Sequence, residues 1–432
     1  MHSPTVAVIG SGPSGCYIAQ ALRREWPESE IAVFDRLPVP YGLVRYGVAP
    51  DHPGTKAVTR QFERLFEREN IKFLGNVDIG EDISLQALRA AYDIVVVATG
   101  LCGDRKLGVT GDTLCGIYGA GQITRFLNDH PDELDTVPAF GAHPVIVGNG
   151  NVAIDVLRLL VKNAEDFHGS DISQETLAHL IASPAEHIHI VGRSPAALAK
   201  FDTVMIKELG KLEHVRFELS GDCAIPADAD ATTQAKVEAL QALVRADEKA
   251  AAHTRTVTFH FGWSPAWVAG VDHVAALGLR ATSAPELQRI ISATSIITAI
   301  GFEERTGQDL CRGDLACASA DLANGFLDDG LYCTGWFRRG PTGTIPDNRS
   351  DAKHVAENIV QAVNSGTLQI GKPGLPGITD QLQKQIVAYE QWKLIDLAEV
   401  ANAPAGRVRR KFRNTIDMLG AAQVRHAGEQ IK

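Results

Sequence analysis

No Cys-x-x-Cys pair occurs among the seven cysteines, Cys16, Cys102, Cys115, Cys223, Cys311, Cys317 and Cys333, and no group of them has metal-ligand spacing. That argues against an iron–sulfur cluster or zinc knuckle built by this chain, and no metal site is expected. It also leaves a catalytic dithiol without support, because such chemistry needs two thiols close together. Most of the cysteines are expected to be small buried residues. Long apolar runs are missing too. Residues 94–98 and 295–300 are of strand length, well short of the roughly 20 residues that cross a bilayer, so no membrane insertion is expected. The chain opens Met1-His2-Ser3-Pro4 and enters an apolar strand by Val6. It shows neither a basic region with a leader-length apolar stretch nor an Arg-rich presequence, which makes the cytoplasm the expected compartment. Positive charge is also in short supply. A net charge of −10 argues against nucleic acid as the main ligand while leaving local basic patches open.

What the chain does have is glycine, 40 residues in 432, much of it at strand ends. Residues 5–9 are a short β-branched, apolar run leading directly into Gly10-Ser11-Gly12-Pro13-Ser14-Gly15. A helical stretch follows at 16–24, then a strand at 31–34 that ends in Asp35 and Arg36. Strand, glycine turn, helix, strand and acid in that order read as a dinucleotide-binding unit. Gly10 permits the tight turn, Gly12 lets the backbone approach a pyrophosphate, and Gly15 lets the helix pack close to the sheet. The helix start, with Pro13 and Ser14, offers unpaired N–H groups to the phosphates. Asp35 can accept hydrogen bonds from an adenosine ribose, with Arg36 grouped beside it. A later strand at 93–97 ends in Ala98-Thr99-Gly100, small residues that would let a dinucleotide lie close; a plain connecting loop is the other reading.

The pattern restarts after Pro144. A strand at 145–147 meets Gly148-Asn149-Gly150-Asn151-Val152-Ala153, and a helix at 154–162 follows. The next strand, 187–191, runs into Gly192-Arg193-Ser194. The first unit ends its second strand in an acid, which would repel a 2′-phosphate. The second ends in Arg193, whose forked donors suit one, so NADP(H) is expected there and FAD in the first; a solvent-exposed arginine is the alternative. Residues 295–300, closing on Gly301-Phe302, fit the last strand of the second unit. Between them, 219–253 is polar and Ala-rich, with a helix expected over 234–251, and reads as a surface elaboration. Near the end, 331–336 is a strand finishing at Gly335 and Trp336. The loop Arg338-Arg339-Gly340-Pro341-Thr342-Gly343-Thr344-Ile345 then leads to a helix near 350–362. The expected fold class is α/β with two Rossmann-like dinucleotide-binding domains. The FAD domain would be discontinuous, residues 1–103 and 330–432, with 104–329 inserted as the NADP(H)-binding domain.

Four segments carry a resemblance to a known family: 8–15 (VIGSGPSG), 39–53 (VPYGLVRYGVAPDHP), 148–155 (GNGNVAID) and 335–345 (GWFRRGPTGTI). With them, the chain resembles the adrenodoxin-reductase-like ferredoxin–NADP reductases of the glutathione-reductase-like fold. Weaker agreement at Ser264-Pro265 and over 392–412 extends it to nearly the whole chain. The resemblance implies FAD contacts from Gly12, Pro13, Asp35, Gly42, Leu43, Val77, Trp336, Gly343, Thr344 and Ile345. It implies NADP contacts from Asn149, Gly150, Asn151, Val152, Arg193 and Gly343. Such proteins take a hydride from NADPH and pass electrons singly to a ferredoxin, a small acidic iron–sulfur protein, without a redox-active disulfide. A monomer is implied as well. The family's paired arginines are here Arg193 and Ser194, a loss that should weaken discrimination for NADPH by about 1–3 kcal/mol. Dual use of NADPH and NADH therefore stays open.

The same resemblance places His52 and Asp155 near the nicotinamide, able to order water or assist proton uptake, and matches Glu208 to the family's glutamate in a KEL segment, with about three extra residues before it; the three are the candidate catalytic groups. For Asp155 the competing role is a first-turn helix acid. Arg338 and Arg339, or the tail cluster Arg407, Arg409, Arg410, Lys411 and Arg413, could steer an acidic partner; an ordinary solvated surface is the bland reading of the tail. No aromatic platform there supports RNA binding. A flavoprotein serving a different acceptor or oxygenase system is the rival function, and a non-catalytic flavin-binding scaffold is the remote one.

Overall fold

A computed structural model describes residues 3–247, 254–304 and 310–423. One sheet has six strands in the spatial order Phe326–Asp328, Leu331–Cys333, Ile94–Val97, Val6–Ile9, Ile31–Asp35 and Lys72–Gly75. Phe326–Asp328 pairs antiparallel at the edge, and the other five run parallel. Val6 pairs with Ile31 on one side and Ile94 on the other, so Val6–Ile9 is central. Helices cover both faces of a parallel sheet, which is why these strands are nearly unbroken apolar runs rather than alternating ones. The chain order reverses beside Val6–Ile9. At such a switch point the C-terminal strand ends splay into a crevice that ligands enter.

The second sheet also has six strands, all parallel: Ile117–Gly119, Ser295–Thr298, Pro144–Val147, His187–Gly192, Arg255–Phe261 and Val215–Ser220. One face is roofed by a three-stranded antiparallel sheet, Trp263–Gly270, Val274–Ala281 and Gln288–Ser292. Val268, Leu277 and Leu279 of the roof bury against Val145, Val147 and Ile296. The chain crosses between the halves on a two-stranded ribbon, Gly103–Asp104 with Phe302–Glu303. Asp104 accepts from the N–H groups of Gly121 (2.7 Å) and Gln122 (3.0 Å), satisfying free donors at the start of the helix Ala120–Leu127.

The helix expected over 234–251 is Ala231–Asp247; 248–251 lie outside the described residues. It is more than a surface elaboration. Val237, Leu240 and Leu243 form one buried stripe against the core, and Val215–Ser220 beside it completes the sheet. The Ala-rich composition hides that stripe, because three apolar residues at helical spacing suffice for it. The cysteines also depart from expectation. Only Cys16 and Cys333 of the seven are buried; the other five lie in connecting segments, which run over the surface. After the helix Tyr389–Ala401, which buries Tyr389, Trp392 and Ile395 in the first core, the chain returns to the second half. There Val408 N–H donates to Ser170 and Gly169 N–H to Gly406. Among the described residues no helix is long and apolar enough to cross a membrane. Nor, among them, do three His, Cys, Asp or Glu residues gather to hold a metal.

Candidate functional site

The first glycine turn is set by close approach. A Cβ on Gly15 would lie 1.9 Å from the Gly10 carbonyl oxygen, and one on Gly10 (φ +103°) 2.7 Å from that of Ala98. The helix Pro13–Glu25 therefore begins hard against the strand ends. Its N-cap, Gly12, has no capping side chain, so the first N–H groups remain available to an anion. Gly42 packs on Gly12, where a Cβ would stand 3.1 Å from the Gly12 Cα; Leu43 beside it is 40% exposed. Asp35 ties the turn to the strand end. Its Oδ2 accepts from Ser11 N–H (3.0 Å) and Oγ (2.5 Å), and its Oδ1 from Leu37 N–H (3.0 Å). Burial raises the pKa of Asp35 above the usual carboxylate range, although these hydrogen bonds oppose it. Val77 N–H bonds the Asp35 carbonyl. Arg36 pairs with Asp132 of the second half. Ala98 lies buried at the strand end, with Thr99 exposed and Gly100 at φ +71°.

The end of the chain closes on this turn. A Cβ on Gly335 (φ +70°) would meet Ser14 Oγ at 1.9 Å, and Ser14 Oγ donates to Asn348 Oδ1 (3.0 Å). Asp351 anchors the loop, accepting from Thr334 Oγ1 (2.7 Å), Gly335 N–H (2.5 Å) and Arg338 Nε (2.8 Å). Burial works against its charge, but those donors prevail and hold its pKa below the ordinary range. Trp336 stacks on Phe302 of the crossing ribbon, with centroids 5.3 Å apart at 27°. Gly343 is at φ +85°, and Thr344 with Asp347 forms a capping box that starts the helix Ile345–Asn364. Asp351 and Asn348 were missed from sequence; their three-residue spacing on that helix, facing the glycine loop, is the signal that was there.

In the second turn a Cβ on Gly148 (φ +126°) would meet the Ala299 carbonyl oxygen at 2.2 Å. The helix Asn151–Val161, with Val152 in its first turn, starts at Gly150 without a capping side chain. Asn149 Nδ2 is buried with no hydrogen-bond partner, a polar donor left for a ligand. Asn151 and Asp202 bond reciprocally, side-chain amide to carboxylate (2.7 Å) and Asp202 N–H to Asn151 Oδ1 (2.8 Å). Arg193 is exposed, and among the described residues its guanidinium has no partner. Ser194 is half-buried, and its carbonyl accepts from Gly262. Both turns thus offer uncapped helix starts and glycine cradles that fit a dinucleotide.

Where the halves meet, His52 stands between two acids of the second half. Its Nε2 is 3.3 Å from Glu208 Oε2 and its Nδ1 is 3.7 Å from Asp155 Oδ1. Glu208 lies on the helix Thr203–Leu209 and Asp155 on Asn151–Val161. All three are half-buried, with 22–31% of each side chain exposed. Asp155 has its pKa raised, first by burial, with Arg158 and His52 opposing. The group can hold a proton on His52 between two acceptors.

The two basic stretches differ from expectation. Arg338 and Arg339 are committed to Asp351. In the tail, Arg409 pairs with Asp396 (2.5 Å) and Glu399 (3.2 Å), Arg410 with Glu175, Lys411 with Asp171 and Arg413 with Asp129. Arg407 donates to the Phe167 carbonyl. These cations stitch the tail to both halves, so neither stretch is a free steering patch. Sequence could not show it because Glu175, Asp171 and Asp129 are remote along the chain, and the nearer acids, Asp351, Asp396 and Glu399, are brought to their arginines only by the fold.

The model of the pyridine nucleotide-disulphide oxidoreductase family matches residues 4–220. The chain is 45% identical to a cindoxin reductase of Citrobacter braakii, covering 98% of this chain and 92% of that one. It is 30% identical to the mitochondrial NADPH:adrenodoxin oxidoreductase of Arabidopsis thaliana, covering 96% and 95%. Among solved structures, FprA of Mycobacterium tuberculosis in complex with NADPH superposes with a TM-score of 0.88 at 27% identity, over 98% of this chain and all of that one.

Proposed function

Because the chain belongs to the pyridine nucleotide-disulphide oxidoreductase family, in the branch of the ferredoxin and adrenodoxin reductases, we propose that it is an NADPH:ferredoxin oxidoreductase with FAD as its resident cofactor. The observation that carries this is the pair of uncapped glycine-turn helices with His52 set between Asp155 and Glu208 at the seam. FAD, when bound, accepts a hydride and returns its electrons one at a time. The chain's own work is to bind and orient. Gly10, Gly12, Gly15, Gly42 and Asp35 would hold the FAD diphosphate and ribose, and the Gly335–Ile345 loop would close over it. Asn149, the Gly150 helix start and Arg193 would hold NADPH, with Arg193 on the 2′-phosphate. His52 would keep a proton at Nε2, and Glu208 and Asp155 would orient the ring.

Residues 1–103 and 330–432 would bind FAD and 104–329 NADP(H). The first sheet takes up Phe326–Asp328 just before the return, which supports a division near that point. Seven free thiols suit a reducing cytoplasm, and we infer a monomer, to be checked by light scattering. A second reading keeps the hydride step and changes the acceptor, since the relative at 45% identity is named for cindoxin rather than for a ferredoxin. The test is anaerobic. Purified protein should be yellow, NADPH should bleach it, and the reduced protein should pass electrons to a ferredoxin. Protein without flavin, or flavin bleached by neither NADPH nor NADH, refutes the enzyme; bleaching without transfer to any ferredoxin favours the other acceptor.

A further inference from the structure

Behind His52 lies a buried group that the proposed chemistry does not use. Arg158, on the helix Asn151–Val161, has only 4% of its side chain exposed and faces three carboxylates. Asp51, the residue before His52, takes both terminal nitrogens of its fork and also Lys162 Nζ at 2.5 Å. Asp155 Oδ1 accepts from Arg158 Nη2 at 2.8 Å. Arg158 Nε, buried and without a hydrogen-bond acceptor, points across 3.7 Å to Glu208 Oε2. Asp155 and Glu208 are the two carboxylates that meet the two ring nitrogens of His52. The contacts therefore close a ring that crosses the seam, from Arg158 through Asp155, His52 and Glu208 back to Arg158.

We infer that Arg158 is a positioning residue, whose guanidinium holds both carboxylate partners of His52 in place and sets the pH range over which the histidine gains and loses its proton. The inference rests on the reading of His52 given above. Its physical basis is the fork. A planar guanidinium presents several donors in fixed directions, so one residue can serve two carboxylates at once, whereas an ammonium acts as a point charge. Asp51 clamps the far side of the fork, so Arg158 cannot turn away without leaving a buried carboxylate to Lys162 alone. Its positive charge favours the ionised forms of Asp155 and Glu208 and the neutral form of His52. Asp51 acts in the opposite sense and Lys162 in the same sense as Arg158.

The experiment follows His52 by NMR in flavin-loaded protein labelled at histidine, the signal being assigned by its loss in His52→Gln. In Arg158→Gln the His52 midpoint should rise by about one pH unit, the size expected for removing one neighbouring cation. Asp328→Asn breaks the ion pair with Arg89 at the edge of the first sheet, which among the described residues shares no contact with His52 or its two carboxylates, and should leave the midpoint in place. An unmoved midpoint in Arg158→Gln, or an equal rise in Asp328→Asn, overturns the inference. Should Arg158→Gln not fold, the double variant Asp51→Asn/Arg158→Gln removes the carboxylate that loses its guanidinium partner. Compared with Asp51→Asn alone it should show the same upward difference, and no difference overturns the inference. The titration needs no turnover, so it separates this inference from the proposed reaction. A moved histidine with an unchanged pH profile of flavin reduction supports the positioning and refutes the proton role of His52.

Discussion

Replacing Asp171 by asparagine should unfasten the seam in a way that pH can read. Asp171 is buried and accepts from Lys56 Nζ at 2.7 and 2.9 Å, while Lys411 Nζ lies 3.1 Å away. Three parts of the chain meet there: the first half, the second half and the C-terminal tail. Asp171→Asn leaves two buried ammonium groups facing an amide, and removing one partner of such a group costs about 3–5 kcal/mol. With an unfolding entropy of about 2.1 cal/mol/K per residue, that corresponds to a Tm lower by roughly 3–6 °C. The sign of the pH effect follows from Lys56. Burial, then the neighbouring Lys411, push its pKa well below the usual lysine value, and Asp171 holds it up. A lysine with a depressed folded-state pKa gives stability that is complete above its unfolded value and lost as pH falls through the folded one. Without Asp171 the folded value drops further. The variant's deficit should then be greatest near neutral pH and shrink by about pH 9.5, where the amine sheds its proton more readily. Thermal unfolding of wild type and variant at both pH values measures this. A loss under about 1 °C at neutral pH, or a deficit unchanged by alkali, would refute the account of the seam.

Two further changes address the cofactor sites. Gly15→Ala would bring a Cβ to 1.9 Å from the Gly10 carbonyl oxygen. The purified variant should lose its flavin absorbance while its far-UV circular dichroism is kept, and full flavin retention would contradict the close-approach argument. Arg193→Ala removes an exposed guanidinium that has no partner among the described residues, so stability should change little. KM for NADPH should rise about tenfold or more, from the loss of one charge-assisted phosphate contact, with KM for NADH little altered. Equal effects on both nucleotides would show that Arg193 does not read the 2′-phosphate.

Much of the fold was legible because its signals are local. The strand at 5–9 and the GSGPSG turn sit side by side in the chain, and a parallel strand buried on both faces is apolar throughout. The helix stripe Val237, Leu240 and Leu243 was less legible, because alanines between its members blurred the period. At the site, the glycines and His52 could be picked out, the latter only through family resemblance. For Asn348 and Asp351 the sequence shows only their spacing on one helix, and for Arg158 only the nearby Asp155; that they face Ser14, the Gly335 turn, Asp51 and Glu208 is set by the fold. The tail arginines were misread for the same reason. A run of positive charge looks free until the acids folded against it are known.

Sequence alone determined the two glycine turns, the acid ending one second strand and the arginine ending the other, on which the proposed assignment of a cofactor to each half rests. These features depend on backbone reach and on the sign of one charge within a few residues of a strand end. The tertiary structure decided what His52 faces, which cations are spoken for and how the halves are fastened. Those outcomes depend on charges paired in space over separations of up to 354 residues, as between Arg45 and Glu399. A buried ion pair is set by geometry and desolvation rather than by order along the chain.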